Sequence, residues 1–264
     1  MVVIENFRMY SVGYLSQEAL DDLAKGRAEL QPSLRKLKAA HIGRTYANAQ
    51  AQEYAQHGLC RRLSTMVQMA DTVFELLPPD LDQIPEMVTV MAATACIQNF
   101  VMNAFGCLEN LAWIWVLEKN VRGKAGAELG RYDIGLGKPY LRKTFSTEFN
   151  AFIDGNQEWL ANLISFRDGL AHRIPLYIPP YVIEESSAEQ YRALDAAAIT
   201  VALAGDQAEY DRPRGEQRAL GRFRPWMTYS TLAGAPTILF HKQMLHDYIT
   251  VDAYCRSLLE EFER

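Results

Sequence analysis

The sequence lacks most of the features that declare a chemistry. Its four cysteines, Cys60, Cys96, Cys107 and Cys255, form no CxxC and no close pairing with histidine, which removes the common zinc and thiol-redox arrangements. Cys96 and Cys107 fall on one expected helix, where eleven residues set the Cα atoms roughly 16 Å apart, beyond the reach of a disulfide. Reduced, buried thiols are the expectation. Histidine is equally sparse. His241 and His246, beside Asp247, do not match HExxH and have no third ligand, and His41 and His57 stand alone, so no metal site and no cofactor is expected. No GxSxG nucleophile signature occurs. Gly137-Lys138 is not a phosphate loop, because Tyr132 stands where the first glycine is needed and Pro139 where Ser or Thr should follow. The opening MVVIENFRMYS has no basic segment followed by an apolar one, and a cytoplasmic chain is expected.

What is present is an ordinary globular composition: 264 residues, 49% apolar and 22% charged, with a net charge of -5. That excludes a disordered chain and a bulk coat for nucleic acid, while leaving room for a local basic patch. Repeats and low-complexity tracts are absent. Residues 1–15 show no clear period and suit an extended segment. Ser16 is placed to cap a helix through residues 17–30, with Glu18, Asp21 and Asp22 near its positive end. Pro32 suits the first turn of a second helix, and Gly58 its end. Residues 59–77 carry Leu63, Met66, Val67, Ala70, Val73, Phe74 and Leu77 at helical spacing, stopped by Pro78-Pro79.

The longest periodic run follows, from Glu86 to about Val121, with an apolar stripe through Val88, Met91, Ala95, Met102, Phe105 and Leu108. A helix of this length is the spine of a bundle. Gln98, Asn99, Asn103, Glu109 and Asn110 interrupt its most apolar window and are costly in lipid, so no membrane is expected. Asn99, Asn103 and Asn110 share a face, which either pairs internally or lines a cleft. Trp113 and Trp115 are expected in the core. A glycine-rich connector spans 122–139, helical pattern resumes over 140–152, and a further helix runs from a cap at Asn156 through NQEWLANLISFRDGLAHR. Beyond it come an acidic, alanine-rich stretch with a short strand at AITVALA, an arginine-rich stretch over 212–226, and a hairpin of 226–232 with 236–240 turning at Ala233-Gly234-Ala235. The last helix, from about Lys242, is amphipathic through Leu245, Tyr248, Ile249, Tyr254, Leu258, Leu259 and Phe262.

Arg167 and His172 in FRDGLAHRIPLYIPP read R-polar-x-x-x-H. This resembles the signature of the HEPN superfamily, and a long helix, a connector and a second helix ending at the histidine is the order that family uses. The IPLYIPP tail is similar to that of a bacterial HEPN subgroup. The resemblance implies a mainly α fold: an up-and-down bundle over 59–180, an N-terminal helical addition over 1–58, and a C-terminal extension over 181–264 with the hairpin and final helix. It implies a homodimer with two motifs at a cleft, and a metal-independent endoribonuclease, often a toxin or defence protein. An antitoxin protein or a nucleotidyltransferase is an implied partner. Other members only bind RNA, nucleotides or proteins.

The residue chemistry supports the same roles. Histidine carries protons near neutral pH, and arginine grips phosphate oxygens with a fork that never loses its charge. Asp168, four residues before His172, is placed to orient its ring. Glu109 and Asn110 are supporting candidates on the long helix. Five helical residues turn Arg167 and His172 about 140° apart, so sharing one cleft needs a loosened helix end or a broad site. In the purely structural alternative, both side chains cap a helix C-terminus in a dimerisation protein. Arg173, Arg222 and Arg224 are candidate RNA-backbone cations, with Phe223 and Trp226 interleaved; the competing reading is a solvated segment balancing the acids before it.

Overall fold

In a computed structural model the chain is mainly α-helical. The structure describes residues 3–4, 14–205, 207–229 and 237–264. Helix α1 (Gln17–Gly43) starts at Ser16, whose hydroxyl accepts the Ala19 N–H at 3.2 Å. It then runs straight through Pro32, where a new helix was expected. A proline inside a helix removes one backbone hydrogen bond and costs about 3 kcal/mol. Leu23, Leu30, Leu34 and Leu37 lie buried on both sides of it, and their burial, at roughly 2 kcal/mol each, outweighs that cost.

The true break comes at residues 44–48. Asn48 caps α2 (Ala49–Glu53) by accepting the N–H groups of Gln50 and Ala51. The chain passes from there through a π turn, Tyr54–Leu59, directly into α3 (Cys60–Leu76). Gly58 therefore sits inside helical structure instead of ending it. Its role is close approach: a Cβ there would lie 3.0 Å from the Asn110 side-chain nitrogen.

Helix α4 (Met87–Glu118) is the central element. Its buried side is Val90, Ala93, Ile97, Phe100, Val101, Ala104, Cys107, Leu111 and Ile114, packed chiefly by α3. Only two of the six residues of the stripe expected from sequence lie inward, and Ala95 is among the exposed ones. Phe105 and Leu108 pack inward, but Val88, Met91 and Met102 are 73%, 65% and 43% exposed. The helix is apolar on so much of its circumference that periodicity could not choose its inner face. By length and composition it could cross a membrane, yet 67% of its most apolar window is buried against the chain's own helices.

Short turns fill the glycine-rich connector. Then come α5 (Pro139–Arg142), α6 (Thr147–Gly155) and α7 (Gln157–His172), the last lying along α4. Strand β2 (Val182–Glu184) takes β1 (Val3–Ile4) on one side in parallel and β3 (Gly221–Arg222) on the other in antiparallel register. Between β2 and β3 stand α8 (Ala188–Ala204) and α9 (Gln207–Ala219). AITVALA is thus helical, not a strand: it lies within an alanine-rich run, and alanine's helix preference carries it. Strands β4 (Trp226–Met227) and β5 (Ile238–Leu239) form the expected hairpin; its turn lies outside the described residues. Helix α10 (Phe240–Phe262) buries Leu245, Tyr248, Tyr254, Leu258 and Phe262 against α1, α3 and α4, while Ile249 is 60% exposed. One continuous core joins α1 to α10.

Three buried titratable groups set the pH response. Burial pushes the His41 imidazole down to about 4, with Arg44 adding to the shift. Burial does the same at His241, also to about 4, although its Nε2 donates to the Leu77 carbonyl at 2.8 Å. Burial raises the Asp247 carboxyl to about 6, against the lowering effect of hydrogen bonds from Trp159 and Gln243. A histidine depressed in the folded state contributes stability above pH 6.5 that is lost as pH falls towards 4. The raised aspartate works the other way, its contribution growing as pH falls through 6. Each effect amounts to about 3 kcal/mol, so two histidines against one aspartate leave a net acid loss of about 3 kcal/mol. Thermal melts should therefore fall between pH 6.5 and 4. His241→Gln, which keeps a donor for Leu77 but cannot titrate, should flatten that fall measurably.

Candidate functional site

Helix α7 is placed by Trp159, Leu163 and Phe166, all buried, and it remains regular to its last residue, His172. Arg167 leaves it next to Phe166 and lies over the Phe105 ring of α4, with Cζ 4.3 Å from the ring centroid. Its Nη1 is 3.1 Å from Asp168 Oδ1, and the two side chains are 29% and 30% exposed. The guanidinium is thus fixed by a ring on one side and a carboxylate on the other, with part of its donor fork still facing solvent. His172 is exposed.

After His172 the backbone leaves helical conformation at Arg173, whose N–H still bonds to Gly169 O at 3.1 Å. The tail is pinned at once. Gln98 on α4 donates to Leu176 O at 2.7 Å, Leu176 and Ile178 are buried, and Tyr177 pairs in antiparallel fashion with Thr228. The prolines therefore lead the chain from the histidine onto α4 and the hairpin.

Two expectations are corrected here. The helix end is not loosened before the histidine, so Arg167 and His172 splay by about 140° around α7. Asp168 pairs with Arg167, and no hydrogen bond joins it to His172 among the described residues. A full guanidinium charge next door is a stronger partner for a half-buried carboxylate than an exposed imidazole one helical turn away.

On α4, Glu109 is exposed while Asn110 is buried. The asparagine stripe pairs internally, through a residue the sequence did not single out. Arg62 of α3 donates its Nε to Asn110 Oδ1 at 2.9 Å and its Nη1 to Asn103 Oδ1 at 3.4 Å; Asn103 donates in turn to Asn99 Oδ1 at 2.7 Å. Gly106 makes this possible, since a Cβ there would meet the guanidinium at 2.4 Å. The readable signal was a glycine within an apolar helix with asparagines three before and four after it, all on one face. Arg62 and Arg167 thus lie against consecutive residues of α4, Gly106 and Phe105. Arg62 makes no ion pair among the described residues.

Of the other candidates, only Arg173 adjoins the motif. Arg173 is exposed at the end of α7. Arg222 faces Glu184 at 3.6 Å, and Arg224 lies 5.2 Å from the Tyr14 ring with Nη1 donating to the Phe223 carbonyl. Burial pushes the Arg224 guanidinium down from its usual value. Arg212 and Arg214 pair with Glu209, Glu216 and Asp195, and Arg218 holds the carbonyls of Ile84 and Pro85. The arginine-rich stretch therefore balances local acids and ties α9 to the start of α4. Among the described residues no three His, Cys, Asp or Glu side chains are grouped as for a metal ion. Comparison with protein-family models, curated proteins and solved structures finds no match to this chain.

The Arg62 arrangement has a measurable consequence. Gly106→Ala should push the guanidinium off both asparagines, and Arg62→Ala should leave the same amides unpaired, each at about 1–3 kcal/mol of stability. In a denaturant double-mutant cycle the pair should cost much less than the sum of the two, because both changes remove the same hydrogen bonds.

Proposed function

We propose that this chain is a HEPN-like, metal-independent endoribonuclease acting as a homodimer in the cytoplasm. The observation that carries the reading is Arg167 held against Phe105 with part of its fork open to solvent, on the helix end that presents an exposed His172. In the proposed reaction the ribose 2′-oxygen attacks the adjacent phosphorus and the bond to the 5′-oxygen breaks, leaving a 2′,3′-cyclic phosphate and a 5′-hydroxyl. His172 takes the 2′-hydroxyl proton and, once charged, supplies one to the leaving oxygen. Arg167 binds the phosphate oxygens and stabilises the charge that grows on them.

The splay of the two side chains around α7 is the physical reason for a second copy. One α7 cannot turn both groups onto a single phosphate at close range. Two antiparallel copies could bring an arginine and a histidine of different chains together. The uncovered apolar strip of Val88, Met91 and Met102 on α4 supports that pairing.

A second reading, a non-catalytic RNA-, nucleotide- or protein-binding module, is favoured by the Arg167–Asp168 ion pair. It offsets the charge that phosphate binding needs and leaves His172 without an orienting carboxylate.

Purified protein incubated with RNA in EDTA should yield fragments ending in 2′,3′-cyclic phosphate. His172→Ala and Arg167→Ala should each reduce cleavage at least a hundredfold, with unchanged melting temperature for His172→Ala and a small fall for Arg167→Ala, which loses the Phe105 and Asp168 contacts. RNA bound but left intact by the wild type supports the second reading instead. Met91→Glu with Met102→Glu should convert a dimer, measured by light scattering after gel filtration, to monomer, with loss of cleavage; a dimer that persists rejects the α4 seam.

A further inference from the structure

We propose that the cleft at the C-terminal end of α4 binds a small organic phosphate, at a site separate from the Arg167–His172 motif. Ten residues of helix divide Phe105 from Trp115, the first residue of α4 that lines the cleft, about 15 Å along the axis. The cleft has a volume of about 720 Å³, within the usual range for small-ligand sites. Three parts of the chain converge on it: the end of α4 with the turn after it, the segment from α5 to the start of α6, and the end of α10.

Its charge is one-sided. Lys119, Arg122, Lys143 and Arg264 line it, against the single carboxylate of Glu261, on a chain whose net charge is -5. That carboxylate is already committed. Glu261 is 4% exposed, and its two oxygens accept the Ser146 N–H at 2.5 Å and the Ser146 hydroxyl at 2.6 Å. The cations are not committed to the same degree. Lys119 is held over the rings of Trp115 and Phe262, with Nζ 5.2 and 5.6 Å from their centroids. Lys143 is exposed and makes no ion pair among the described residues. Arg122 pairs at 3.0 Å with Glu128, a side chain 88% exposed; Arg264 pairs with Glu148, 68% exposed, donates to the Ser146 hydroxyl at 3.2 Å and has its Nε 3.9 Å from the buried Glu261 carboxylate. The solvated pairs with Glu128 and Glu148 contribute little and yield readily to a stronger anion.

Two point-charge lysines and two forked arginines around one cavity match a ligand carrying several negative charges on tetrahedral phosphate groups. The apolar floor of Trp115, Val121 and Phe145, with half-buried Tyr140 beside it, accommodates an organic portion. The volume and the convergence of cations on one concavity favour a small molecule over a strand, which a linear basic stripe would suit better.

Calorimetric titration at low ionic strength with ADP and with pyrophosphate tests the proposal. Both should bind saturably and raise the melting temperature, with affinity falling as salt is added. The double variant Lys119→Gln, Lys143→Gln should bind at least tenfold more weakly while melting, without ligand, as the wild type does. His172→Ala should bind like the wild type, which separates this site from the proposed ribonuclease chemistry. If neither probe binds, or the double variant binds equally well, the proposal fails. It also fails if single-stranded RNA binds the cleft and neither ADP nor pyrophosphate displaces it.

Discussion

A helix of 32 residues with most of its circumference apolar cannot stand in water alone, and the covering of α4 governs the rest of the molecule. Helices α3 and α10, the π turn with α2, and α7 pack on α4, and the strip of Val88, Met91 and Met102 stays uncovered. Close approach on the covered side demands small residues at particular points. Gly58 admits Asn110, and Gly106 admits the Arg62 guanidinium. The polar stripe on α4 is thereby satisfied from α3, and α7 brings Arg167 to the adjacent ring of Phe105.

Charge follows the same packing. Arg62 is held by two amide carbonyls and Arg167 by a ring and one neighbouring carboxylate. At the far end of α4, Glu261 turns inward to Ser146, with Arg264 beside it, and Lys119, Arg122 and Lys143 line the rest of the cleft. Where a titratable group is fully enclosed, desolvation dominates: His41 and His241 are kept neutral and Asp247 is raised despite two hydrogen-bond donors. These enclosed groups belong to the bundle's stability, while the exposed His172 belongs to its surface.

Much of the helical plan was legible. The Ser16 cap, the stop at Pro78-Pro79, the spine from Glu86, the helix ending at His172 and the hairpin before α10 all rest on local signals that burial reinforced. Local signals failed where packing overruled them. Pro32 lies inside α1 because leucines on both sides share one buried face, and Gly58 lies inside a helical run because a neighbour needs its space. The exposure of Met91 and Met102 was not legible, because α4 is apolar around most of its circumference and its period does not mark which side is covered.

The sequence by itself determined that this is a mainly α-helical chain with one long buried spine, and that an arginine and a histidine stand five residues apart at a helix end. Those properties follow from hydrophobic period, caps and prolines, which act within a few residues. Only the tertiary structure decided that Asp168 serves Arg167, that Arg62 completes the asparagine stripe, and that four cations meet around one cleft. Each depends on side chains brought together from distant parts of the chain, and a pattern of neighbours in sequence holds no information about the distance between them.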